Sequence, residues 1–173
     1  MNHSLICIKT YGVDPYSTLK EVSKKLQNSF NELKISSVYI FRRNPIGKNI
    51  HQIREESPFE AMSVVVQIST NKSPIELLNL IKEMENRIDK GLEWSLQLKL
   101  LSYNDLIKIT PNLTLPHPEF HMSPEELIPA SELDPDWVHP VLKTSLNELR
   151  KKLKTNAWGE FYAQGKSLLD KHP

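Results

Sequence analysis

Apolar residues recur along this chain in two rhythms. Leu19, Val22, Leu26, Phe30 and Leu33 stand three or four apart with Lys and Glu between them, which predicts an amphipathic helix from about Pro15 to Glu32. Ser73-Pro74-Ile75-Glu76 reads as a capping box with proline at the first helical position. It opens a second helix whose inner face is Leu77, Ile81, Met84 and Ile88. The other rhythm is that of strands. Leu5 to Ile8 is a short buried run, and Ile35 to Phe41 is rich in β-branched and aromatic residues. Met62 to Ile68 is apolar almost throughout, as a central strand is. Trp94, Leu96, Leu98 and Leu100 alternate with Ser95, Gln97 and Lys99, giving one apolar and one polar face. The order is βαββαβ. It predicts an α+β fold: a ferredoxin-like antiparallel sheet with helices on one face.

Beyond the fourth strand the chain becomes proline-punctuated. Leu106 to Ile109 and Leu113 to Leu115 predict a hairpin. Ser123-Pro124-Glu125-Glu126 starts a short helix, and Ser145-Leu146-Asn147-Glu148 caps a last one, with Leu146, Leu149 and Leu153 as its apolar stripe. Such a wrap needs a core to lie on, because proline-broken chain cannot satisfy its backbone alone. Residues 1–149 are expected to form one domain. Residues 150–173 are expected to be an aromatic, amphipathic helical extension, packed on the domain or placed at a dimer interface.

Composition narrows the classes. The 173 residues carry a formal net charge of +1, so no field calls for a nucleic acid or membrane partner. Cys7, the one cysteine, sits in an apolar run and reads as a small core residue, so a reducing, cytoplasmic setting is expected. Leu5 to Ile8 is too short for a signal sequence or a membrane span. Arg42 to Glu60 is a long loop carrying Arg42, Arg43, Lys48, His51 and Arg54. Glu55 and Glu56 balance it as a solvated segment, with phosphate contact as the second reading. His51, His121 and His139 lack metal-ligand spacing.

Two runs carry a resemblance: Leu115-Pro116-His117-Pro118, and the longer, more specific Leu133-Asp134-Pro135-Asp136-Trp137-Val138-His139-Pro140-Val141-Leu142. They resemble the 6-hydroxymethyl-7,8-dihydropterin pyrophosphokinase family of folate biosynthesis, which moves a diphosphate from ATP to a pterin alcohol. The resemblance covers most of residues 4 to 146. It implies the same ferredoxin-like core, with the active site on the open face of the sheet. There, two aspartates in a Leu-Asp-Leu-Asp pattern on the fourth strand hold two magnesium ions that bridge the ATP phosphates. This chain reads Leu96-Gln97-Leu98-Lys99-Leu100 at that place. An amide is a poor ligand for a hard dication and an ammonium repels it. Two unit charges about 4 Å apart interact by roughly 1 kcal/mol in water and about 4 at an effective dielectric of 20.

Other positions depart from the family pattern as well. At the end of the second helix Arg87 matches the first family arginine, while Lys82, Asn86 and Asp89 replace a glutamate, a glycine and the second arginine. The arginine-rich lid is shortened to Lys90-Gly91-Leu92-Glu93-Trp94. Ser63 stands near the pterin-contacting asparagine, Ser123 and Glu125 replace an arginine and the pterin-stacking phenylalanine, and Lys9-Thr10-Tyr11 replaces Gly-Ser-Asn. His117 and Arg87 alone match. The ligand-binding candidates are therefore Arg87, Lys99, His117, Gln97 and Ser63, with no catalytic and no metal-binding residue. For His117 a backbone-bonded histidine is the competing reading; for Arg87 an exposed helix-end arginine favoured by the helix dipole; for Lys99 a salt-bridged strand lysine. The expectation is a catalytically degenerate pyrophosphokinase-fold protein that binds a small molecule, a pterin or nucleotide, or a protein partner, without cofactor. The alternative is a working pyrophosphokinase using ATP and magnesium. RNA binding is third and lacks the exposed aromatic and basic strand residues it requires.

Overall fold

The computed structural model describes residues 1–12, 14–43, 59–88, 96–154 and 159–169. Its main sheet is antiparallel. β1 (Asn2–Thr10) lies between β4 (Phe59–Thr70) and β5 (Leu96–Tyr103). β4 takes β2 (Leu33–Ile35) and β3 (Val38–Arg43) on its other edge. The single strand expected over Ile35 to Phe41 is divided at Ser36 and Ser37. Ser36 keeps the break satisfied: its N–H donates to the Val65 carbonyl (2.9 Å) and its Oγ accepts from the Val65 N–H (3.0 Å).

Alternation sorts the strand residues onto two faces. Ile6, Ile8, Val64, Val66, Leu98 and Leu100 meet α1 (Pro15–Ser29) and α2 (Pro74–Ile88) in the larger core, through Leu19, Val22, Leu26, Leu77 and Ile81. The capping box at Ser73 forms, with the Ser73 N–H donating to Glu76 Oε2 (2.7 Å). A β-bulge in β5 turns Leu101 to the opposite face. There Leu5, Cys7, Val65 and Leu101 pack on Phe120, Leu127, Ala130, Leu146 and Leu149. Those residues belong to a wrap made of the hairpin β6 (Lys108–Ile109) and β7 (Thr114–Leu115), then α3 (Pro124–Leu133) and α4 (Leu146–Lys151). Helices on one face was thus true of α1 and α2 only; α3 and α4 cover the other. The Ser145–Glu148 capping box is present, whereas Ser123 makes no cap bond and donates to the Glu125 carboxylate instead (2.8 Å).

The helical extension is also corrected. Gly159–Ala163 forms β8, which pairs with β3 and ends the sheet order β5-β1-β4-β3-β8. The aromatic, amphipathic composition of the tail does not reveal this path, which two glycines set. A Cβ on Gly159 would strike the Phe41 ring, and one on Gly165 would strike the Ser36 carbonyl oxygen. The short α5 (Lys166–Leu169) then buries Leu168 in the larger core, and Ser167 Oγ lies 2.7 Å from Tyr16 Oη. Among the described residues no helix is long and apolar enough to cross a membrane. The basic loop read over Arg42 to Glu60 falls for its greater part, 44–58, outside the described residues.

Candidate functional site

The register places the expected ligand residues in two rows across one face. Lys9 pairs with Gln97 on one side and Ser63 on the other, and Cys7 pairs with Lys99 and Val65. This face is not open. α3 lies over it and fills it with carboxylate. Glu126 Oε1 accepts from Lys9 Nζ (2.9 Å) and from Lys99 Nζ (2.8 Å), and Lys99 Nζ also donates to Glu119 Oε2 (2.8 Å). The side chains of Lys9, Glu126 and Lys99 are 4%, 0% and 10% exposed. Two cations and two anions close on each other where the resemblance places two carboxylates and their dications.

Burial works against the charge on Lys99, but its bonds to Glu119 and Glu126 outweigh that and raise its pKa. The same bond from Lys99 lowers the pKa of Glu119. Desolvation pushes the Cys7 thiol up to about 12, so it is a neutral core group at physiological pH.

Ser63 is wholly buried and faces α3. The cause lies in the helix sequence. Pro129 has no N–H for the Glu125 carbonyl one turn back, which is left without its helical partner. Ser63 Oγ donates to that carbonyl, and the Cys7 thiol lies 3.8 Å from it. Ser63 is therefore a pin between β4 and α3. His117 is half-buried where the wrap crosses the bulge: its N–H donates to the Leu101 carbonyl (2.9 Å) and its Nδ1 accepts from the Glu119 N–H (3.3 Å). Arg87 is not brought to this place. It is 73% exposed on α2, on the other side of the sheet, and paired with Glu83.

One cleft does adjoin Lys99, about 420 Å³ along the outer edge of β5 and lined by Leu78, Lys82, Leu98, Lys99, Leu113 and His117. Part of that strand edge is plugged. The Leu98 N–H donates to Glu85 Oε2 (2.6 Å) and its carbonyl accepts from Lys82 Nζ (3.0 Å). Among the described residues no group of three His, Cys, Asp or Glu side chains is placed to hold a metal ion. The donor set at the two strand positions, an amide and an ammonium, does not fit magnesium.

Sequence reasoning missed Lys9, Glu119 and Glu126 as a unit. A signal existed: Lys9 alternates with Leu5 and Cys7, so it ends a buried strand face and requires an anion. Its partner lies 117 residues away, in the first turn of α3, a stretch read only for its capping value.

Burial lowers the pKa of His117 and, with His121 as a lesser cause, of His139. The His139 ring accepts from the Val141 and Leu142 N–H groups at 3.3 and 3.2 Å. Between the ordinary and lowered values the unfolded chain holds a proton that the folded chain does not, so stability rises with pH there. Urea unfolding is expected to show stability falling as pH drops below about 6.5. His117→Gln with His139→Gln flattens that slope; an unchanged slope in the double variant assigns it elsewhere.

The antiparallel sheet is wrapped on both faces, with the PHP run lying against β5, which makes this an α+β domain. The family model of 7,8-dihydro-6-hydroxymethylpterin-pyrophosphokinase matches residues 10–135, and the chain belongs to that family. The folic acid synthesis protein FOL1 of Dictyostelium discoideum is 26% identical over 147 residues, covering 79% of this chain and 21% of the relative. The 2-amino-4-hydroxy-6-hydroxymethyldihydropteridine pyrophosphokinase of Synechocystis is 35% identical over 80 residues, 43% of this chain and 41% of that one. The Haemophilus influenzae enzyme of the same name is 25% identical over 131 residues, 73% of this chain and 78% of that one. The chain thus spans well under half of the first two relatives. Wild-type HPPK-DHPS from Plasmodium falciparum superposes with a TM-score of 0.66 at 13% identity, over 87% of this chain and 41% of that one, a likeness of fold.

Proposed function

We propose that this chain is a catalytically degenerate member of the pterin pyrophosphokinase family that acts by binding a ligand or partner, not by transferring diphosphate. One observation carries the reading. Lys99 stands at a position the resemblance gives to a metal-binding aspartate, and it is bound by Glu126 and Glu119 of the wrap. The charges a nucleotide and its dications would bring are already supplied within the chain. The remaining cleft offers Lys82, Lys99 and His117 beside Leu78, Leu98 and Leu113. That chemistry suits a small anionic molecule with a flat apolar part, such as a pterin or nucleotide, taken up without magnesium. The reading is tested by mixing the protein with ATP, magnesium and 6-hydroxymethyl-7,8-dihydropterin. The expected result is no AMP release above the protein-free control. Turnover at ordinary enzyme rates, on the order of 1 s⁻¹ or more, would eliminate the proposal.

A further inference from the structure

We infer that Glu119 is a resident counterion on Lys99, and that a phosphate or diphosphate group displaces it to bind there without a metal. This rests on the proposed reading of the adjoining cleft as a site for an anionic ligand, and adds what that ligand must exchange with.

The charges at the buried end of the site call for an outer anion. Lys9 and Lys99 share one oxygen of Glu126, at 2.9 and 2.8 Å, so these three side chains carry one surplus positive charge away from water. Glu119 cancels it, with Oε2 at 2.8 Å from Lys99 Nζ. The two carboxylates differ in how firmly they are kept. Glu126 is fully buried on a helix packed against the sheet, whereas Glu119 is 64% exposed. A pair so wet is weak and is screened by salt.

Only a side chain has to move. The Glu119 N–H donates to His117 Nδ1 (3.3 Å), and the Glu119 carbonyl accepts from the Met122 and Ser123 N–H groups (both 3.0 Å). Phe120, wholly buried, anchors the next position in the smaller core. The backbone of the turn is therefore fixed, and the carboxylate can rotate into solvent while the wrap stays docked. Exposed side chains change rotamer in nanoseconds or less. Lys99 keeps capacity for a ligand as well: its ammonium has three donors, and two acceptors among the described residues. It lines the cleft of about 420 Å³ with Lys82, His117 and Pro118, the residue before Glu119.

The competition sets the class of ligand. Glu119 is tethered, so its effective concentration at Lys99 is on the order of millimolar. A free carboxylate offers the same charge without the tether, and loses. A phosphate brings roughly two charges and three strong acceptor oxygens to the same ammonium, and a diphosphate brings more.

The test titrates inorganic diphosphate into the chain by calorimetry, with a chelator and no metal. The native chain is expected to bind it weakly, and Glu119→Gln about tenfold more tightly, because the competing charge is gone. Glu119→Gln combined with Lys99→Met loses that gain. It leaves Lys9 and Glu126 as a balanced pair, and its urea midpoint reports that it is folded. Glu83→Gln removes the same charge on the other side of the sheet, beside Arg87, and leaves the affinity at the native value. Acetate gives no heat of binding with the native chain. Equal affinity of the native chain and Glu119→Gln overturns the exchange while leaving the cleft an anion site. A gain that Glu83→Gln matches, or that survives Lys99→Met, also overturns it. Absence of binding in all four proteins removes both the exchange and the anionic ligand on which it rests.

Discussion

Glu126→Ala is expected to destabilise the protein by about 3–5 kcal/mol, the cost of stranding a buried charge. Among the described residues the Glu126 carboxylate is the one ion-pair partner of Lys9 Nζ, at 2.9 Å, and it is the inner of two partners of Lys99. Removing it leaves the Lys9 ammonium in a place that water barely reaches. It also removes the ionic ties of α3 to β1 and β5, leaving the Ser63 bond to the Glu125 carbonyl to hold the helix beside them. Glu119→Ala is the contrast: its side chain is 64% exposed, and a pair so wet contributes on the order of 1 kcal/mol or less. The net worth of the buried pair is smaller than the truncation cost, because Glu126 Oε2 is buried with no hydrogen bond of its own. Lys9→Met combined with Glu126→Met, which removes both charges, is therefore expected to regain most of the loss. The midpoints of urea unfolding, compared at constant slope, measure all four proteins. If Glu126→Ala unfolds within about 0.5 kcal/mol of the native chain, the ion-pair network is not what fastens the wrap.

The sheet was legible because its signal is local. Alternation in Leu96 to Leu100 and the three-four spacing from Leu19 to Phe30 are set by residues that touch the same core. β8 was not legible. A five-residue edge strand with Phe161 and Tyr162 exposed carries no alternation to read, and its place is dictated by what Gly159 and Gly165 allow against β3 and Ser36. The site divides in the same way. Gln97 and Lys99 could be judged unfit for a dication from their chemistry alone. What fills that place could not, because Lys9, Glu119 and Glu126 come from a strand, a turn and a helix that only the folded wrap brings together. Ser63 shows the subtler failure. Its position suggested a ligand contact, but a proline four residues after Glu125 had already assigned its hydroxyl to the backbone.

Gln97→Asp combined with Lys99→Asp is expected to bind magnesium far more tightly than the native chain does. The native Lys99 ammonium would lie beside any ion at this site. Exchanging it for a carboxylate turns repulsion into attraction, several kcal/mol at the roughly 4 kcal/mol per close pair of a partly buried site. That corresponds to a change on the order of a thousandfold or more in affinity. The structure adds a second consequence. Without Lys99, Glu126 keeps only Lys9, Glu119 loses its cation, and two more carboxylates join them on one face. The metal-free double variant should thus unfold at lower temperature than the native chain, and magnesium should restore much of that loss by binding the folded form alone. Gln97→Asp by itself should respond weakly, since Lys99 remains. Thermal unfolding with and without magnesium, followed by calorimetric titration, separates these outcomes. A native chain whose midpoint rises with magnesium as much as the double variant's would mean that the ammonium does not guard the site, and the degenerate reading would fall with it.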